Sequence, residues 1–244
     1  MLFLAKSSPY ENPESRRARK ELRATHDFKH AAQSFPKHLR YERAMLRHLA
    51  ERSDDFTGAF RRLPLKLQEL FPQAYQSYLF NKFLSKRIAN GLPLNRAEAG
   101  DYVMHVERTG LPTQAMSKIA TAEKLAEINK AIKAGKMRLA LPLVGIRQHT
   151  SQGVQGSIEK QILEEEGITP EDFKAKVMLQ TAARGELRAA TTPLNNFSLK
   201  EISQDPAKSP KRNINVDFRL YRGSYATITL RELMKTRNPT KTGF

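Results

Sequence analysis

Cations and aromatic rings alternate through the stretch from Pro206 to Phe244. It holds nine basic residues (Lys208, Lys211, Arg212, Arg219, Arg222, Arg231, Lys235, Arg237 and Lys241) against two acids, Asp217 and Glu232. Phe218, Tyr221 and Tyr225 are interleaved with them. Guanidinium and ammonium groups bind phosphate, and aromatic rings stack on unpaired bases, so this pattern suits contact with RNA. Lys211, Arg212, Phe218, Arg219, Arg222, Tyr225 and Arg231 are the candidates for such a surface. The same residues read equally as a strand whose Phe218 is core and whose cations are merely solvated. The chain has no Trp, so stacking falls to Phe, Tyr, His or Arg.

Other spacings carry weaker chemistry. His26-Asp27-Phe28-Lys29-His30 imitates the His-Glu-x-x-His zinc motif, with both imidazoles on one helical face. Asp in place of Glu is a shorter base, and no third ligand is set by spacing, so surface histidines are the better reading and no metal is expected. Gly153-Val154-Gln155-Gly156-Ser157 opens a helix whose amides could hold a phosphate; a loop with a Ser cap explains it more simply. Asp54-Asp55 and Glu164-Glu165-Glu166 are adjacent acids that point different ways and suit a solvated surface. Tyr75, Tyr78, Phe80 and Phe83 form a helical stripe that reads as core before it reads as a stacking platform. No Gly-x-Ser-x-Gly nucleophile motif is present.

The elements that must position these groups follow from periodicity. Residues 6–14 are punctuated by Ser7, Ser8, Pro9, Asn12 and Pro13 and are expected to be extended. Ser15–Arg23 fits a short basic helix. Phe35-Pro36 breaks the pattern, and Tyr41–Glu51 resumes it with Ala44, Met45, His48 and Leu49 on one face. The strongest helical period runs from Leu65 to Ala89; Pro72 predicts a break or kink with a new helix starting there. Asn90-Gly91 stops it. Tyr102–Val106 is a strand, Thr121–Ala134 a helix, and Arg138–Val144 an extended run interrupted by Pro142. His149–Gly156 is a loop, Ser157–Glu166 a helix, Glu171–Leu179 another helix, Glu186–Ala190 extended, and Pro206–Lys211 a linker. Val216 to Tyr221 alternates like a half-buried strand, with Val216, Phe218 and Leu220 on the apolar side, and Thr227–Lys235 closes as a helix. The mixture is α+β, helix-rich in its first third.

Composition narrows the partners. A formal charge of +17 and a pI near 10.1 favour polyanions, above all nucleic acid. No Cys is present, which excludes disulfides, thiol nucleophiles and Cys-bound zinc and fits an intracellular protein. No apolar run nears the ~20 residues of a membrane span, and Met1-Leu2-Phe3-Leu4-Ala5 lacks the basic start and length of a signal peptide. At 244 residues the chain can bury a core in one large or two small domains.

Three blocks give these residues a family context. They are Ala74-Tyr75-Gln76-Ser77-Tyr78-Leu79-Phe80-Asn81-Lys82-Phe83-Leu84-Ser85, Ala140-Leu141-Pro142-Leu143-Val144-Gly145, and Gly223-Ser224-Tyr225-Ala226-Thr227-Ile228-Thr229-Leu230-Arg231-Glu232-Leu233. In this order they resemble the C-terminal half of the TruD family of tRNA pseudouridine synthases. Pro9–Ser15 and Tyr41–Leu46 look like its archaeal branch. The resemblance implies a catalytic domain interrupted by a family-specific insertion, with tRNA between them. Residues 1–205 would be mostly the insertion and 206–244 a strand and helix returning to the catalytic domain. Tyr225 would lie near the cleft, with Arg231 and Glu232 on the helix that closes it.

The implied reaction isomerises uridine 13 of tRNA without a cofactor, in the cytoplasm, through an aspartate. The family's Gly-x-Lys-Asp segment is absent from these 244 residues, as is its Asn-Tyr-Phe-Gly-x-Gln-Arg-Phe-Gly segment. Asp27 and Asp217 do not match it. The expectation is a synthase whose catalysis needs an N-terminal catalytic piece, Met1 being an internal start. The alternatives are a non-catalytic RNA-binding fragment and a basic ribosome-associated protein.

Overall fold

A computed structural model of the protein describes residues 2–174, 182–206, 210–239 and 242. Lys208, Lys241, part of the Pro206–Lys211 linker and the second half of the Glu171–Leu179 helix lie outside them. Two compact units divide the chain.

The first unit comprises Met1–Tyr78, Gly145–Arg147 and Thr169–Arg184. Its helices are α1 (Leu2–Ala5), α2 (Pro13–Thr25), α3 (Phe28–Ser34), α4 (Arg40–Glu51), α5 (Phe56–Phe60) and the first half of α6 (Leu65–Ala89). Pro13 starts α2 without wasting an N–H, and Asn12 caps it by accepting from the Glu14 amide. Leu22, Phe35, Leu46, Leu49 and Ala59 form the centre of the core, with Leu67 and Phe71 packed against it. Arg19 ties the helices together: it donates to the Phe3 and Leu4 carbonyls, both at 2.9 Å, and to Glu42 at 2.6 Å and Glu11 at 3.1 Å. From Pro170 to Lys174 the chain is a 3₁₀ turn rather than the α-helix expected from Glu171.

His26 and His30 do not share a helical face. His26 ends α2 in the left-handed region at φ 54°, and Asp27 starts α3 by accepting from the His30 amide at 2.9 Å. Pro72 likewise starts no new helix, because α6 is continuous from Leu65 to Ala89. The missing N–H and ring clash cost about 3 kcal/mol in isolation. Burial of Leu79, Phe80 and Phe83 on the same helix offsets that.

The second unit comprises Leu79–Val144, Gln148–Ile168 and Gly185–Phe244. Its four-stranded antiparallel sheet has the order β2 (Pro112–Ile119), β1 (Tyr102–Val106), β3 (Met137–Leu143), β4 (Glu186–Ala189). A 3₁₀ turn at Ala122–Lys124 leads into α7 (Leu125–Lys133), whose Ile128 joins Val103, Met137 and Leu139 in one core. Pro142 does not interrupt β3. It lies beyond the last β1 pair, Tyr102↔Ala140, where the strand is bonded to β4 alone, and an edge position tolerates a residue with no donor.

α8 runs from Gly153 to Glu166, so it begins four residues before the expected Ser157. Gly156 is helical rather than loop because its backbone lies against Ser151; a Cβ there would come within 2.1 Å of the Ser151 carbonyl oxygen. Two further strands, β5 (Asn195–Gln204) and β6 (Arg212–Arg219), pair as an antiparallel hairpin, and α9 (Ala226–Met234) follows. The half-buried strand therefore ends at Arg219, with Leu220 and Tyr221 beyond it. No helix among the described residues is long and apolar enough to cross a membrane.

Candidate nucleic-acid interface

The candidate residues are carried by β6, the turn after it and α9. Lys211 and Arg212 are exposed at one end of β6, and Arg219 is exposed at the other. At ~3.3 Å per residue these ends are roughly 23 Å apart, too far to share a phosphate. Side chains alternate along a strand, so Phe218 and Arg219 point to opposite faces. Phe218 is half-buried and lies near-parallel to Phe197, with ring centroids 6.5 Å apart and planes at 22°.

The turn is anchored at Tyr221. Its ring lies over Gly110, where a Cβ would approach the ring to 2.3 Å, and φ is 82°. The Arg138 guanidinium stands 5.8 Å from the ring centroid and donates to the Gly110 carbonyl at 3.1 Å. Burial lowers the Arg138 pKa, with Tyr221 opposing. From this anchor the chain turns, with the Ser224 amide donating to the Tyr221 carbonyl at 3.1 Å. Gly223 takes φ 87°, a conformation that a side chain resists. Arg222 is exposed, and Tyr225, at the N-cap of α9, is 72% exposed. Arg231 is partly exposed and lies 3.8 Å from Glu232. Lys235 pairs with Glu232 at 2.7 Å and holds its pKa below the usual range. Arg222 and Tyr225 are thus brought onto one short turn, whereas Lys211, Arg212 and Arg219 are spread along the hairpin.

The carboxylates have other work. Asp27 caps α3, and exposed Asp217 sits 3.8 Å from Lys200. Asp55 caps α5 through the Gly58 amide at 2.7 Å and meets His48 Nε2 at 2.8 Å. Those two hydrogen bonds lower its pKa, the Gly58 bond more. Glu166 pairs with Lys82 at 2.6 Å. Of the aromatic stripe, Phe80 and Phe83 are buried, Tyr75 is half-buried and Tyr78 is exposed.

The start of α8 borders an open concavity of about 530 Å³ whose lining includes Ser151, Val154, Ser157 and Lys160. Beneath it lies a polar network that residue spacing did not suggest. Arg87 is fully buried and binds both Asp101 oxygens, at 2.8 and 2.7 Å, and the Gln155 side-chain oxygen at 3.1 Å. Gln155 donates to Glu159 at 3.0 Å, and Glu159 also accepts from the Ser151 amide at 2.6 Å and hydroxyl at 2.9 Å. Burial pushes the Glu159 carboxyl up to about 7 despite these donors. The network fixes the loop that leads into α8.

Comparison with known proteins places this geometry. The family model of tRNA pseudouridine synthase D (TruD) matches residues 1–233. A tRNA pseudouridine synthase D of Methanococcoides burtonii is 35% identical over 96% of this chain and 53% of its own length. One from Methanopyrus kandleri is 39% identical over 95% of this chain and 49% of its own. A crystal structure of a TruD from Methanosarcina mazei superposes with a TM-score of 0.90 at 35% identity, covering 98% of this chain and 54% of that one. The chain thus spans about half the length of the curated relatives it matches.

Proposed function

The chain belongs to the tRNA pseudouridine synthase D (TruD) family, and on that premise we propose that it acts in the isomerisation of uridine 13 of tRNA to pseudouridine, in the cytoplasm. The observation that carries this reading is the family match across residues 1–233. The net charge of +17 supports an RNA substrate. In the reaction the C–N glycosidic bond breaks, the uracil turns, and a C–C bond forms to the same ribose carbon, so no atom is gained or lost. The nucleotide must leave its stack to be reached. Arg222, Tyr225 and Arg231 are the residues we assign to holding it, with Lys211, Arg212 and Arg219 meeting phosphates farther along the strand.

The aspartate that starts the reaction belongs, in this reading, to the part of the family fold outside this chain. The observation favouring that division is that Asp27 is a helix cap and Asp217 is solvated and ion-paired. Residues from about 206 onward go with the catalytic domain, and β5 goes with them because it pairs with β6.

The test is to incubate the chain with unmodified tRNA and map pseudouridine at single-nucleotide resolution. The expected result is salt-sensitive tRNA binding without conversion. Conversion of uridine 13 by the chain alone would place the carboxylate within these 244 residues. Binding to ribosomal RNA but not tRNA would overturn the substrate.

A further inference from the structure

Arg108 is exposed on the turn between β1 and β2. That turn is closed by two backbone bonds. The Glu107 amide donates to the Leu111 carbonyl at 2.9 Å and the Gly110 amide to the Glu107 carbonyl at 2.8 Å. Arg108 lies two peptide steps from Gly110, so their Cα atoms are at most ~7.6 Å apart. Gly110 is the residue against which the Tyr221 ring packs, and Arg222 follows Tyr221 directly. Two exposed guanidiniums from distant parts of the sequence are thus held close to one joint.

The positive charge gathered there is not offset. The third guanidinium, Arg138, is half-buried and meets only the Gly110 carbonyl and the Tyr221 ring. Among the described residues no carboxylate pairs with Arg108, Arg138 or Arg222. The buried arginines of this chain are treated differently: Arg19 has Glu11 and Glu42, and Arg87 has Asp101. At the foot of the turn Glu107 and Lys136 are both exposed and opposite in sign, which leaves the excess with the three guanidiniums. A cation that is merely solvated needs no anchor, and like charges on free turns would drift apart. Here a joint that only a glycine admits keeps them together. An anion completes such a set, and the planar fork of arginine matches phosphate oxygens two at a time.

We propose that Arg108 and Arg222 bind neighbouring phosphates of one RNA strand, with Arg138 as the positioning residue that fixes their spacing. The inference rests on the functional reading above and deepens it. The nucleotide assigned to Tyr225 is then gripped through its backbone from two turns, the one after β6 and the one between β1 and β2.

The chain has no cysteine, so Arg108→Cys and Arg222→Cys each offer a single attachment point for an iron–EDTA tether that cuts nearby RNA backbone. Each tethered chain is bound to unmodified tRNA at low salt and the cuts are mapped. Cuts from both positions are expected on neighbouring nucleotides of one strand, beside uridine 13. Arg138→Met should spread the two sets of cuts apart. In filter binding over a salt series, Arg108→Ala should flatten the slope by about one, and Arg108→Lys should restore the slope but only part of the affinity. Lys133→Ala, which removes an exposed cation of α7, should leave the slope unchanged. Unchanged circular dichroism and melting will show that the variants at exposed positions fold. Cuts on different strands, no cuts from position 108 while position 222 cuts, or an unchanged slope in Arg108→Ala overturns the proposal. So does an equal change in Lys133→Ala, which would mean diffuse charge, and so does spacing of the cuts that is indifferent to Arg138→Met. Cutting beside uridine 13 from position 222 alone removes the paired site and leaves the functional reading standing. Coincident cuts remote from uridine 13 refute the functional reading and leave the paired site standing.

Discussion

Glu159 is fully buried, and its carboxyl is pushed up to about 7 from the ordinary value of 4.5 chiefly by desolvation. The folded state therefore holds this proton where the unfolded chain releases it. Its contribution is fully present below pH 4.5, is lost as pH rises towards 7, and is flat above. At about 1.4 kcal/mol per pKa unit the loss is about 3 kcal/mol. Glu159→Gln has nothing to titrate, so the difference in stability between wild type and variant should change across that window by about this amount. Denaturant midpoints from pH 4.5 to 8 measure it, and parallel profiles would reject the assignment. Arg87 makes the complementary case. Arg87→Met strands Asp101 in the interior and should cost about 3–5 kcal/mol in urea unfolding. Neither role was legible in the sequence. Gln155 lies 68 positions from Arg87, and one more Arg in a basic chain carries no mark of burial. The connection that carries Arg222 and Tyr225 was legible only as the gap between the Val216–Tyr221 strand and the Thr227–Lys235 helix.

At the scale of elements, the joint formed by Tyr221, Gly110 and Arg138 holds the turn after β6 to the turn between β1 and β2. Its strength comes from the Tyr221 ring packing where only a glycine leaves room, with a cation beside it. Tyr221→Ala should destabilise the unit by about 1–2 kcal/mol and speed amide exchange through Arg222 and Tyr225. Tyr221→Phe keeps the ring and should stay within about 0.5 kcal/mol. Equal exchange in Tyr221→Ala and wild type would mean that the turn is held by something else. Elements with strong local periods, α4, α7 and α9, were legible to within a residue or two, apart from the 3₁₀ turn ahead of α7. The rest depended on partners. Pro72 is overridden by the packing of α6. The early start of α8 reflects the approach of Gly156 to Ser151. β5 was missed because its two register shifts destroy the strict alternation that reveals a strand.

At the scale of the whole molecule the formal charge overstates what the proposed RNA substrate could meet. Arg87 is sequestered by Asp101, and Arg19 is 8% exposed and bound to Glu11 and Glu42. The cations left for phosphate are those on surfaces, Arg222 among them. Binding through such contacts releases counterions, so the logarithm of affinity falls linearly with the logarithm of salt. Six to ten contacts would cost roughly 10³–10⁵ in affinity between about 50 and 200 mM salt. The slope counts contacts and is insensitive to small changes in stability, which makes it the measurement suited to this chain. Arg222→Ala should weaken tRNA binding uniformly across tRNA sequences and flatten the slope by about one. Tyr225→Ala should weaken binding by about 1–3 kcal/mol with the slope unchanged, since stacking releases no counterion. Filter binding over a salt series separates the two. If Tyr225→Ala flattens the slope, or if Arg222→Ala does not, the division of labour between ring and guanidinium on this turn is wrong.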